Sequence, residues 1–375
     1  MSLFLTEEQE LIRQGVIEFT KNEVKPRAME IHRANDIPMD LVKRAGDLGY
    51  LSILVPKELG GLGLGLTEAC IIGEEVSKES PGFGMCLIVS MATLTQLILN
   101  PIMKEKYLEK ALDGEVLVEY ASGDPLGATN FSEWPVFARK DGDDWILNGT
   151  RLFASNNGVA TVCCVVGYTE DRQLKLWMVE KGNPGMDNSY VEKKMGLSGQ
   201  NSGTVTFSNC RVSKDMVVDF DPNPEHLVAS FLMESAVALG IAEGVLEKTI
   251  EFTKLRTNRF KPLASMQAIA HKLAKNATLI ELGRAIIYDT CRLAEENRPI
   301  SKMIHMAKAW VCEMAVDVAR DCIQLHGGLG YMEDTGICRY MDDAMGTTIA
   351  DMPSDTHYSW LAYLMGLPDP TVEEY

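Results

Sequence analysis

The stretch from Cys322 to His357 gathers several residues able to do chemistry. A glycine turn, Gln324-Leu325-His326-Gly327-Gly328-Leu329-Gly330-Tyr331, separates two helical segments, and the carboxylate Asp351 follows Ile349-Ala350 some twenty residues later. An acid beside Ala350 and Met352 has no evident packing role, and Pro353 behind it has no N–H to donate. A second carboxylate, Glu234, sits among Phe231, Leu232, Val237 and Ala238. Turned toward those residues it would hold its proton to higher pH and could act as a base; the expected orientation is toward solvent. The six histidines are scattered, with neither the H-x-x-x-H spacing of a metal site nor a nucleophile elbow to accompany them. His326 and His357 are therefore read as structural.

Composition narrows the function classes. At 375 residues the chain is long enough for two or three domains with substantial cores. Its 46% hydrophobic and 24% charged residues are ordinary for a soluble globular protein. A net charge of −17 argues against nucleic acid and against an anionic membrane surface. No charged-then-apolar leader precedes Leu3 and no 18-residue apolar span is present, so neither secretion nor membrane insertion is expected. Nine scattered cysteines, none in C-x-x-C and two adjacent at Cys163-Cys164, suggest reduced buried thiols and a cytoplasmic protein.

The elements that must position these residues follow from periodicity. Thr6 and Gln9 form a capping box ahead of Leu11-Ile12-Val16-Phe19 at helix spacing. A further helix is expected over residues 39–48, Pro56 interrupts the chain, and Gly60-Gly61-Leu62-Gly63-Leu64-Gly65 reads as a loop. That loop lacks the strand, helix and later acid of a dinucleotide fingerprint. Helices resume to about residue 112. From about residue 114 to 212 the period is that of strands: residues 173–179 partly alternate, residues 204–207 are a strand candidate, and Trp145-Ile146-Leu147-Asn148-Gly149-Thr150 carries Asn-Gly, a strong hairpin signal. Residues 229–255, 266–296 and 302–325 return to helix spacing, the last ending at Gly327-Gly328. The expected fold class is α+β: a helical domain over 1–115, a central β-barrel or sandwich over 116–220 and a helical bundle over 221–375.

The C-terminal stretch resembles the acyl-CoA dehydrogenase family, whose turn reads Q-x-x-G-G-x-G and whose later run reads D-A-x-x-x-x-I-x-E-G-T. Asp343, Ala344 and Ile349 match at that spacing, and Asp351 falls on the catalytic Glu. The resemblance runs from Leu5 to about Leu364 and implies a helical domain, a β domain and a four-helix bundle. It also implies FAD as cofactor, an acyl-CoA thioester as substrate and an electron-transfer flavoprotein as electron acceptor. In such chemistry a base removes the proton α to the thioester carbonyl and the flavin takes hydride from the β carbon. By position the base is Asp351, and the backbone N–H aimed at the enolate oxygen belongs to Met352.

The family's Y-x-x-T-E-P-G-A-G-S-D stands here as Tyr120 to Asn130, which implies flavin contacts at Tyr120, Ser122, Gly123 and Thr129; the threonine hydroxyl is replaced at Gly123. W-I-T becomes Phe153-Ala154-Ser155, keeping an aromatic face and a hydroxyl. Read without the resemblance, Phe153 is a core residue of a strand and Ser155 a turn residue. Arg256 stands for the family's pyrophosphate-binding Arg, whose planar fork suits paired charged bonds; Gln267, Gln324, Gly327 and Gly328 complete the set. In the family these reach the flavin of a neighbouring subunit, so a homo-oligomer, a tetramer, is implied. Read alone they are a solvated helix Arg and a Gly-Gly helix cap. Three departures gather at the centre: Glu is Asp351, Gly-Thr is Met352-Pro353, and Pro353 has lost a hydroxyl and an N–H that could meet the diphosphate. Met91 on the segment 87–92, with Thr129, Ser230 and Glu234, is expected to line the acyl pocket. Ser230 occupies the place where some relatives carry the base. These changes suggest a branched or alicyclic acyl group; a non-catalytic homologue, a reductase and a 1,4-elimination are the alternatives.

Overall fold

The computed structural model describes residues 5–123, 136–220 and 224–368. The capping box forms: the Gln9 N–H donates to the Thr6 hydroxyl at 3.2 Å, the Thr6 N–H donates to the Gln9 side chain at 3.0 Å, and α1 (Glu7–Phe19) begins there. The short helices α2 (Ala28–Ala34) and α3 (Met39–Asp47) lead to α4 (Leu66–Ser77), α5 (Pro81–Leu97) and α6 (Pro101–Leu112). Every residue of α4 from Thr67 to Ser77 is buried, because α1 and α5 cover it on one side and a long later helix on the other. Its two adjacent acids tolerate burial because each meets a cation: Arg284 Nη2 donates to Glu74 at 2.8 Å and Arg13 Nε to Glu75 at 2.6 Å.

The central region is one sheet built from β1 (Val118–Ala121), β2 (Phe137–Asp141), β3 (Asp144–Ser155), β4 (Val162–Thr169), β5 (Leu174–Glu180), β6 (Met186–Val191), β7 (Ser202–Val212) and β8 (Val217–Asp219). The order is β6-β7-β3-β1-β4-β5-β8. β1 and β2 lie end to end in the slot between β3 and β4: β1 pairs with Ser155 and with Val162 to Val165, β2 with Asp144 to Asn148 and with Tyr168 and Thr169. The connection between them carries the Asp124–Asn130 motif, so Thr129 lies outside the described residues.

β4 is apolar from Val162 to Val166 because both its faces are covered there. Cys163 and Val165 join Trp177, Val205 and Phe207 in a core the sheet encloses for itself, while Val162, Cys164 and Val166 join the helical core. The hairpin expected at Asn148-Gly149 is not there: both residues lie inside β3. Gly149 (φ 134°) takes up a register shift against β7, and Asn148 Oδ1 accepts from the Asn209 N–H at 2.8 Å. The extra residue of a bulge uses the same left-handed freedom as a hairpin turn, so the dipeptide alone does not separate them. The β2–β3 turn instead lies at Gly142, φ 65°.

The C-terminal bundle comprises α7 (Pro224–Leu255), α8 (Gln267–Glu295) and α9 (Ser301–His326), with α10 (Arg339–Thr347) and α11 (Ser354–Leu364) packed on α9. A two-residue ladder of β9 (Thr257–Asn258) and β10 (Lys261–Pro262) joins α7 to α8. Asp343 on α10 is buried, and its carboxylate accepts from the Leu197 N–H at 2.6 Å, tying the bundle to the β region. Among the described residues no helix is long and apolar enough to cross a membrane.

Candidate active site

Five elements converge on the turn between α10 and α11. Thr347 ends α10, Ser354 begins α11, and the Ser354 N–H donates back to the Thr348 carbonyl at 3.0 Å, closing the turn. Within it Asp351 (φ 44°) and Met352 (φ 82°) both adopt left-handed backbone, which side chains with a Cβ disfavour. Non-glycine residues are held in such conformations only where surrounding structure over-determines them, and functional sites are common instances. The Met352 N–H has no acceptor among the described residues, so it remains available as a donor.

Asp351 is exposed to solvent. Even so, loss of hydration is the largest effect on its carboxyl and raises it above its ordinary value, with Lys308 and the Ser230 hydroxyl pulling the other way. Exposure and desolvation coexist if the side chain stands in a recess, which fits its neighbours. The Ser230 hydroxyl donates to the Asp351 carboxylate. Tyr120 is raised by burial and then by the charge of Asp351, and it hydrogen-bonds Ser122.

Glu234 lies one turn beyond Ser230 and does not face solvent as expected; it is 1% exposed. The stripe of Phe231, Leu232, Val237 and Ala238 is buried on all sides by α4, α5, α9 and α10, which leaves α7 no wet face at this level. Neither carboxylate oxygen has a well-formed hydrogen bond; the nearest partner is Lys308 Nζ at 3.4 Å. Burial, added to by Asp351 and opposed by Lys308, pushes Glu234 up to about 8. Lys308 is wholly buried and donates to the carbonyls of Thr347 at 2.7 Å and Ala350 at 2.9 Å. It therefore clasps the stretch of backbone that leads into Asp351. Below lies a histidine pair, His305 and His357, with their Nδ1 atoms 2.9 Å apart, and His357 Nε2 lies 3.4 Å from the Asp351 carbonyl.

The sequence reading missed Lys308 and the histidine pair. A signal for Lys308 was present: it follows Ile304 and precedes Val311, Cys312 and Ala315 on an otherwise apolar helical stripe.

The other candidates fall into two groups. Beside β1, Gly123 bridges to Leu152 so closely that a Cβ there would lie 2.1 Å from the Leu152 carbonyl oxygen, so a threonine at this position would need the backbone to move apart. Phe153 is not a core residue. It sits at a second β3 bulge with φ 55°, which turns its ring outward to 66% exposure, and Ser155 pairs with Tyr120. Met91 is wholly buried in the helical core and offers no surface to a substrate; at helix spacing its side chain points into the interior, while Val89 and Ala92 are partly exposed.

The second group occupies the far end of the bundle. Phe252 stacks on His326 with ring centres 4.2 Å apart, which places Arg256 near Gly327 and Gly328, and the Leu263 N–H donates to the Arg256 carbonyl just ahead of Gln267. His326 is thus structural, its Nδ1 2.9 Å from the Cys322 carbonyl. Arg256, Gln267, Gln324, Gly327 and Gly328 are all exposed. At 1.5 Å per residue, Arg256 lies about 39 Å along α7 from Ser230. The structure therefore brings together Tyr120, Ser122, Ser230, Glu234, Asp351 and Met352, and sets the Arg256 group well apart from them.

The chain matches the acyl-CoA dehydrogenase N-terminal domain over residues 6–115, the middle domain over 121–210 and the C-terminal domain over 230–362. It is 30% identical to a short-chain specific acyl-CoA dehydrogenase of Clostridium acetobutylicum, across 95% of this chain and 97% of that protein. It is also 30% identical to the cyclohex-1-ene-1-carbonyl-CoA dehydrogenase of Syntrophus aciditrophicus, across 92% of this chain and 86% of that one. The crystal structure of an acyl-CoA dehydrogenase from Geobacillus kaustophilus superimposes with a TM-score of 0.90 at 26% identity, covering 98% of this chain and all (100%) of the other. Matched across all three of its domains, the chain belongs to the acyl-CoA dehydrogenase family.

Proposed function

We propose that this protein is an FAD-dependent oxidoreductase acting on the α,β carbon–carbon bond of an acyl-CoA thioester, with Asp351 exchanging the α proton. The observation that carries this is Asp351 itself: a carboxylate in a recess, hydrogen-bonded by Ser230, one residue before an unengaged N–H at Met352. That N–H is suited to the oxygen on which negative charge grows when the α proton leaves. Ser230 and Lys308 favour the ionised carboxylate, and burial strengthens it as a base.

The residues fit a flavin. Phe153 presents an outward ring face, Ser122 and Ser155 supply hydroxyls, and Arg256 has no ion-pair partner among the described residues. A Cβ at Gly327 or Gly328 would meet nothing, so a diphosphate can approach their backbone. Bound FAD supplies the hydride acceptor. Pro353 offers the diphosphate no donor.

Arg256 stands too far from Asp351 for both to serve one flavin within a single chain. A homo-oligomer, as a tetramer, in which one subunit's Arg256 group completes its neighbour's site resolves this. Exposed apolar side chains at that end, Leu255 at 81%, Phe260 at 103% and Tyr331 at 78%, fit a covered interface. An electron-transfer flavoprotein is the proposed redox partner. Nine free cysteines, eight of them buried, suit a reducing cytoplasm. A branched or alicyclic acyl group is proposed because the aspartate carboxylate stops one methylene short of a glutamate's.

Anaerobic titration with a panel of CoA thioesters, followed at the flavin absorption band, tests the reading. One thioester should bleach the flavin, and Asp351→Asn should lose at least about 100-fold in rate while keeping FAD. Bleaching by Asp351→Asn at the wild-type rate would remove Asp351 from the role.

A further inference from the structure

Glu234 and Lys308 are the least explained groups in the molecule. Both are buried to within 1% of complete, they approach to 3.4 Å, and the two carboxylate oxygens otherwise lack partners. A buried ion pair is a poor source of stability, and so ill-made a pair is a worse one. The location is informative. Lys308 grips the carbonyl just before Asp351, Glu234 shares a face of α7 with the Ser230 that hydrogen-bonds Asp351, and the charge of Asp351 reaches the Glu234 carboxylate.

We propose that Glu234 and Lys308 are positioning residues for proton abstraction: Glu234 and Asp351 together face the single cation of Lys308, so the protonation of either carboxylate sets the basicity of the other. With Glu234 protonated, Lys308 and an ionised Asp351 balance. When Glu234 ionises, the cluster holds two anions against one cation, and Asp351 attracts a proton more strongly. Two coupled carboxylates lose their protons in two steps that belong to the pair.

The groups packed around this cluster titrate away from pH 8. On α9, His305 is pushed down to about 4 by burial and Cys312 up to about 11. On α11, His357 is pushed down to about 3 by burial and then by Lys308. Tyr120 on β1 is raised. Burial draws Lys308 down, but Cys312, Glu234 and Asp351 outweigh it and raise it, so it stays charged. α5 has no charged residue between Pro81 and Leu97; on α4 Glu74 and Glu75 are held by Arg284 and Arg13, and on α10 Arg339 donates to the Glu79 carbonyl while Asp343, pushed up to about 6 by burial, accepts from the Leu197 N–H.

The inference rests on Asp351 as the base, and its test separates the two claims. Carbon-13 NMR of protein labelled at aspartate carboxyls, with the Asp351 signal assigned from Asp351→Asn, reads the coupling without turnover. The wild-type signal should move in two steps, the upper one near pH 8, where Glu234 titrates. In Glu234→Gln, nearly the same shape, only the lower step should remain. Flavin reduction should likewise rise a fewfold above pH 8 in the wild type and stay flat in the variant. A single step in the wild-type signal, or an upper step that persists in Glu234→Gln, overturns the proposal. The wild-type titration suffices even if the variant fails to fold. If Asp351→Asn reduced flavin normally, the base assignment would fall while the NMR titration still reported on the pair.

Discussion

At the scale of single residues, the centre combines backbone strain with desolvation. Met352 holds φ 82°, where the related motif has glycine. Met352→Gly should therefore raise the melting temperature, by an amount corresponding to about 1 kcal/mol. An unchanged or lower melting temperature would mean that the side chain's packing outweighs the strain. Glu234 makes a prediction with a definite sign. Its carboxyl is raised from 4.5 to about 8 in the fold, so the folded state binds more protons than the unfolded state between those values. Stability from this group is thus full below about pH 4.5 and falls as pH rises toward 8. Thermal melts of wild type and Glu234→Gln should run close together at pH 5 and separate by pH 8.5, with the variant the more stable. Parallel curves across that range would show that Glu234 does not titrate there.

At the scale of elements, β3 shows how a strand can turn a side chain out of its alternation. Its second bulge lies between Arg151 and Ala154, and Phe153 within it has φ 55°, so the ring leaves the inward–outward alternation and stands in solvent. Phe153→Ala removes an exposed ring and should leave stability within about 0.5 kcal/mol. It should also weaken FAD binding several-fold in a fluorescence titration; unaltered affinity would show that the ring is not a flavin contact. Gly123 behaves oppositely. Gly123→Ala puts a methyl 2.1 Å from the Leu152 carbonyl oxygen and should displace the β1 end even without ligand, visible as a lowered melting temperature.

At the scale of the whole molecule, α7 acts as a ruler with Ser230 and Glu234 toward one end and Arg256 just past the other. Arg256→Ala should weaken FAD while sparing the fold, since Arg256 is exposed and makes no ion pair among the described residues. Phe260→Asp at the exposed tip between β9 and β10 should shift light scattering toward smaller species and lower FAD affinity together. Loss of one without the other would separate the interface from the flavin site.

The sequence by itself determined the element types and the family. Capping at Thr6, helix periodicity through the 229–255 and 302–325 segments, and the D-A-x-x-x-x-I-x-[acid] spacing are local properties that neighbouring residues impose on one another. Asp351 could be singled out for the same reason, by its distance along the chain from Asp343. Tertiary structure alone decided that α7 has no wet face around Glu234, and so that Glu234 is buried rather than solvated. It alone brought Lys308, from a helix more than seventy residues on, to Glu234 and to the carbonyl of Ala350. It also turned Asn148-Gly149 into a bulge and Phe153 outward, because partner strands fix the register in which an extra residue is absorbed. Burial, and with it the protonation of a carboxylate, depends on atoms distant in sequence, which spacing along one helix does not encode.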